Sequence, residues 1–143
     1  MRTGLILSAL AAALGGAAQA EEPRTATLYK NPACACCETY ADYLRDNGFE
    51  VAVEATHDLP LLHRQHGVPD PLVGCHTTLV EGYVVEGHVP VRTLLRLLTE
   101  KPAIKGISLP GMPAGSPGMF GEKTEPFTIY EIGGGPAKVY GIE

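Results

Sequence analysis

Apolar positions along the chain follow first one period and then another, and each change of period marks an element boundary. Leu5 to Leu14 is an apolar run interrupted only by Ser8. Ala26 to Lys30 reads as a short strand, with Thr27 and Tyr29 on one face and Leu28 on the other, and Asn31-Pro32-Ala33 breaks it. From Cys36 to Asn47 the spacing turns helical through Tyr40, Tyr43 and Leu44, and Gly48 stands where a helix-ending glycine belongs. Phe49 to Ala55 alternates apolar with acidic or small residues, the mark of a half-buried strand. These three segments make a β-α-β unit, for which a right-handed crossover is expected.

Asp58 can cap a short helix through Leu61, Leu62 and His66, which Gly67 stops. After an extended Val68-Pro69-Asp70-Pro71 connector, Cys75 to Val80 and Tyr83 to Glu86 read as two strands turning tightly at Glu81-Gly82. Pro90 suits the first turn of a helix running through Leu94, Leu95, Leu97 and Leu98 and ending before Pro102. The resulting α/β order, β-α-β-α-β-β-α, predicts a thioredoxin-like sheet flanked by helices. Beyond it, Lys105 to Glu125 is rich in Gly and Pro and aperiodic, so an irregular loop is expected there. Phe127 to Ile132 and Ala137 to Tyr140 predict a final hairpin around Gly133-Gly134-Gly135-Pro136.

The apolar run at the start changes the picture. Arg2 precedes it, Gly15 and Gly16 follow it, and Ala18-Gln19-Ala20 offers the small residues a signal peptidase reads. The run falls short of the ~20 residues needed to span a bilayer. The expectation is a signal peptide at 1–20, cleaved after Ala20, and a periplasmic domain over 21–143. That domain divides into a core over 25–101 and a loop-and-hairpin extension over 102–143. Cleavage removes only Arg2 among the charged residues, leaving an acid excess one unit beyond the −5 of the whole chain. With no Trp and no Lys/Arg-rich run, nothing favours nucleic acid as a partner. No later segment is apolar enough to cross a membrane.

All four cysteines fall in the mature part: Cys34, Cys36, Cys37 and Cys75. Cys34-Ala35-Cys36-Cys37 lies where the first strand hands over to a helix, whose N-terminal dipole favours thiolate over thiol. Cys34 and Cys37 have the C-x-x-C spacing of a reactive dithiol, and Cys36 adds a sulfur that simple exchange does not need. Helical neighbours diverge by about 100°, so three sulfurs over one turn suit bridging several ions better than a closed zinc site. Thiolates favour Cu(I) and other soft ions. Two other readings stay open: a stabilising disulfide with two spare thiols, and thiol–disulfide exchange in which Cys34 attacks and Cys37 resolves.

Cys75 starts the strand expected to face this turn, so it should join the cluster. His76 follows directly, and strand alternation would turn its ring away. His88, near the last helix, is a candidate ligand, whereas His57, His63 and His66 read as surface residues. Met112 and Met119 each end a Pro-Gly-Met in the irregular loop, where no core needs filling; a thioether there suits copper as an auxiliary ligand or cover.

Three segments resemble the CopG-like family of periplasmic copper-resistance proteins. They are Lys30-Asn31-Pro32-Ala33-Cys34-Ala35-Cys36-Cys37, then Cys75-His76-Thr77 with Gly82 to Pro90, then Leu109 to Pro113 with Gly115 to Met119. The resemblance runs over nearly the whole mature chain. That family more often carries glycine where Ala35 stands and tryptophan where Tyr40 stands, and both changes leave the candidate ligands intact. The resemblance implies a multinuclear copper site on cysteine ligands and a role in copper resistance. It also implies a change of bound copper between Cu(I) and Cu(II), an oxidoreductase activity, and a periplasmic electron-transfer or copper-handling partner protein. The rivals are the thiol–disulfide oxidoreductase and a passive copper carrier.

Overall fold

The computed structural model describes residues 22–143, so the signal sequence read at 1–20 lies outside the described residues. Among these residues no helix is long and apolar enough to cross a membrane. The chain forms β1 (Arg24–Lys30), α1 (Ala35–Asp46), β2 (Phe49–Ala55), α2 (Leu59–His66), β3 (His76–Val80), β4 (Tyr83–Gly87) and α3 (Val91–Glu100). The extension adds β5 (Gly106–Leu109), β6 (Thr128–Ile132) and β7 (Lys138–Ile142). The first seven elements come in the expected β-α-β-α-β-β-α order.

All seven strands belong to one sheet, in the order β2-β1-β3-β4-β5-β6-β7. β1 pairs parallel with β2 across the α1 crossover, and β4 pairs parallel with β5 across α3. The other neighbours are antiparallel, with β3 and β4 forming the central hairpin. α1 is helical because Cys37, Tyr40, Ala41 and Leu44 repeat at the spacing of a single stripe, and all four are buried. That stripe and Leu94, Leu97 and Leu98 of α3 share a core with Leu28, Val85, Ile107 and Ile129 of the sheet. Val68, Leu72, Val84 and Ile132 form a smaller cluster apart from it.

The segment expected to be one irregular loop contains a strand. In β5, Ile107 and Leu109 face the main core, while the Ser108 hydroxyl donates to the Leu72 carbonyl at 2.6 Å. Two apolar residues between Gly and Pro are too short a pattern to read as a strand. Pairing with β4 and β6 supplies what the sequence pattern lacks. The C-terminal hairpin therefore extends the central sheet, and residues 110–127 leave β5 and return to its neighbour β6.

Candidate metal centre

The turn entering α1 is built by a buried cation. Lys30, only 4 % exposed at the end of β1, donates from Nζ to the carbonyls of Asn31 (3.2 Å) and Pro32 (3.3 Å). It also pairs with Glu38 at 3.1 Å, tying the turn to the first turn of α1. The Cys34 N–H donates to the same Asn31 carbonyl at 2.9 Å. Cys34 thus occupies the N-cap position of α1, Cys36 follows one residue into the helix, and Cys37 starts its buried stripe.

Cys34 and Cys37 are joined in a disulfide, and Cys36 and Cys75 are free thiols. In this state Cys34 and Cys37 would offer thiolates only after two-electron reduction of their disulfide. Position is nevertheless shared by all four. Cys34 Sγ lies 3.5 Å from Cys36 Sγ, Cys37 Sγ lies 3.8 Å from Cys75 Sγ, and all four sulfurs fall within 4.8 Å of one another. Cys36 and Cys37, though adjacent in the helix, keep their sulfurs within 4.8 Å of each other.

The open end of the β3–β4 hairpin completes the site. Cys75 comes just before β3, and its Sγ lies 3.3 Å from His76 Nδ1 and 3.1 Å from His88 Nε2. The expectation that His76 points away from Cys75 is overturned. Alternation holds only within the ladder, and Cys75 lies in the bend before it. His88 owes its direction to Gly87, whose φ of 72° is a left-handed conformation that side-chain-bearing residues adopt at a cost. That reversal sends the imidazole against Tyr40, whose ring lies 4.7 Å from the His76 ring and 5.3 Å from the His88 ring. The Tyr40 hydroxyl donates to the Val89 carbonyl at 2.8 Å, so the tyrosine braces the segment carrying His88.

Electrostatics set the protonation states. Burial first, and then Cys36, push the Cys75 thiol up to about 12. Burial and the neighbouring His88 bring His76 down to about 3, and burial also lowers His88. Both imidazoles are therefore neutral near pH 7, the form that ligates metals. His88 Nδ1 lies 2.7 Å from the Pro117 carbonyl, which can only accept, so that nitrogen carries the hydrogen. The Nε2 lone pair is left facing Cys75. This is the orientation a second partner imposes on a metal-binding histidine.

Pro117 places the irregular loop over the site. Ser116 is buried, and Gly118 lies against the α1 backbone, close enough that a Cβ there would sit 2.9 Å from Tyr40 N and 3.2 Å from Cys36 O. The two methionines differ. Met119, next to Gly118, is half-buried, whereas Met112 is 43 % exposed in a left-handed conformation.

Sequence reading missed two residues. His63 is no simple surface residue: its side chain is largely buried, with Nε2 3.4 Å from Glu86 Oε2. Glu86 is fully buried in β4 and carries a carboxyl raised by burial to about 7. Its position facing Thr77 across the hairpin was the only available signal.

Sulfur and neutral imidazole donors crowded at one point suit a soft metal ion. Comparison with known proteins narrows the class. A family described as "Protein of unknown function, DUF411" matches residues 72–119, a span that holds Cys75, His88 and both loop methionines. Two solved structures of copper resistance protein CopG, form 2 and form 1, resemble the chain over 85 % of its length at 33 % identity and a TM-score of 0.78. The match covers 99 % and 98 % of those chains. Among curated proteins, none matches.

Proposed function

The chain belongs to the CopG family of copper-resistance proteins, and from that premise we propose that it is a periplasmic copper-binding protein of copper resistance. The observation carrying this reading is the convergence of four cysteine sulfurs within 4.8 Å, with His88 Nε2 against Cys75. Reduced Cys34, Cys36, Cys37 and Cys75 would hold Cu(I) as thiolates, His88 would add an imidazole, and Met112 and Met119 would serve as auxiliary thioethers or cover. Four sulfurs so close exceed what a single linear or trigonal ion uses, which supports a multinuclear site. Copper here is the protein's cargo or substrate. A role as a copper oxidoreductase cycling Cu(I) and Cu(II) against a periplasmic partner is the finer form of the same reading. Export by a signal peptide cleaved after Ala20 and the division of residues 21–143 into core and extension belong to it as well.

The Cys34–Cys37 disulfide favours a second reading, thiol–disulfide exchange, in which Cys34 attacks and Cys37 resolves. Cys36→Ala separates the two. An exchanger keeps its disulfide reductase activity, since Cys34 and Cys37 remain. A copper site loses stoichiometry with the lost sulfur, measured by elemental analysis of anaerobically loaded protein. Unchanged copper content in Cys36→Ala would sink the cluster.

A further inference from the structure

The hairpin that supplies Cys75 and His88 is held together at its open end by a carboxylate whose hydrogen bonds go to none of the candidate donor atoms. Glu86 is 0 % exposed. Its Oε1 accepts from the Thr77 hydroxyl at 2.7 Å, and its Oε2 accepts from the Gly74 N–H at 2.8 Å. His63 Nε2, arriving from α2, lies 3.4 Å from the same Oε2.

These contacts bracket the donors. Gly74 precedes Cys75 and Thr77 follows His76, so one side chain grips both ends of the segment carrying them. Downstream, Glu86 is separated from His88 only by Gly87. A Cβ on Gly74 would overlap the Gly87 backbone nitrogen, so these two backbone segments run in direct contact beside the carboxylate. A fully buried carboxylate is costly unless its oxygens are bonded. Here the bonds are spent on the two residues flanking the ligand-bearing pair.

We infer that Glu86 is a positioning residue of the metal site, fixing Cys75 Sγ relative to His88 Nε2 by pinning Gly74 and Thr77 against β4. The inference rests on the copper-binding reading above. Outer partners that orient ligands in this way typically contribute about 10- to 100-fold to metal affinity.

Glutamine and alanine divide the possibilities. In Glu86→Gln the amide oxygen can still accept from Gly74, and the amide NH2 can donate to the Thr77 hydroxyl, which both donates and accepts. Both anchors survive without the charge. In Glu86→Ala both are lost. The experiment is an anaerobic Cu(I) titration of full-length mature, reduced protein against a chromophoric Cu(I) chelator, with X-ray absorption counting sulfur and nitrogen neighbours of copper. Expected are a Cu(I) affinity about 10- to 100-fold weaker in Glu86→Ala with fewer nitrogen neighbours, and in Glu86→Gln a wild-type neighbour count with affinity within roughly threefold.

Wild-type affinity and neighbours in folded Glu86→Ala overturn the inference, as does a Gln variant as impaired as the Ala variant, which would make charge rather than anchoring the cause. Should Glu86→Ala fail to fold, Thr77→Val removes one anchor at nearly constant shape. A severalfold weaker Cu(I) affinity there supports the inference, and an unchanged one overturns it. Wild-type protein that takes up no Cu(I) overturns the copper reading itself, and this inference with it.

Discussion

His88 Nε2 sits 3.1 Å from Cys75 Sγ, and the two residues flank the open end of a single hairpin. The register of β3 and β4 brings them to the same end of the hairpin, and Tyr40 of α1 braces the segment that carries His88. The metal centre thus has two halves of different origin: a sulfur-rich helix start and a sulfur–nitrogen pair on the sheet.

The sheet half predicts that His88→Ala weakens Cu(I) binding by at least about tenfold, since an oriented neutral imidazole is removed. Chelator competition under nitrogen measures it. An affinity equal to wild type would confine the site to sulfur.

The helix half predicts a thiol count. Protein isolated without reductant should show two titratable thiols in denaturant, Cys36 and Cys75, and four after reduction. Reduced protein should take up more Cu(I) than the oxidised form. Four thiols in untreated protein would remove the disulfide from the resting state.

Loop substitutions should act unequally. Met-to-Leu changes preserve bulk, so apo stability should move by less than about 1.5 kcal/mol in either variant. Met119→Leu, beside the segment packed on Cys36, should weaken copper binding more than Met112→Leu, whose side chain is 43 % exposed. The metal-free loop should already resist proteolysis, because the Pro117–His88 hydrogen bond and buried Ser116 hold it in the absence of copper. Wild-type copper affinity in both variants would make the thioethers bystanders.

Two buried groups should pull stability in opposite directions with pH. His76 titrates near 3 when folded against an ordinary value of 6.5, so the unfolded chain takes the proton more readily. Its contribution is complete above about pH 6.5 and is lost as pH falls toward 3. Glu86 titrates near 7 when folded against 4.5, so the folded chain takes the proton more readily. Its contribution is complete below about pH 4.5 and is lost as pH rises toward 7. Glu86→Gln removes only the second trend, and His63 is the ionisable group whose side chain faces Glu86 most closely. The stability of the variant relative to wild type should climb between pH 4.5 and 7 by on the order of 3 kcal/mol, then level off. Denaturant unfolding of reduced, metal-free protein gives this difference, and a flat difference would contradict it.

Much of this arrangement was legible because local rules and tertiary structure agreed. The stripe Cys37, Tyr40, Ala41, Leu44 had to face a core, and Phe49 to Ala55 could alternate only as a strand. Cys75 could be placed with the cysteine turn once the element order was read. The failures came where neighbours override local pattern. β5 is a strand because β4 and β6 complete its hydrogen bonds, not because its sequence alternates. His76 turns toward Cys75 because the ladder begins one residue later than the pattern suggested. The burial of Glu86 had no signal in the strand pattern, because it rests on the Thr77 hydroxyl and on the backbone N–H of Gly74, twelve positions earlier.

The C-terminal strands carry a consequence for the loop above the metal centre. Residues 110–127 are tethered at both ends to adjacent strands, β5 and β6, so their excursion starts and finishes on the same small stretch of sheet. A doubly tethered loop presents its middle to the site at a fixed effective concentration, whereas a loop with one free end dilutes that presentation over a much larger volume. A chain shortened after Phe120 would retain every cysteine, His88 and both methionines, yet the Pro117 carbonyl would meet His88 only as often as a loose tail allows. In that sense β6 and β7, which offer no candidate donor atom, hold the Pro117 carbonyl against His88.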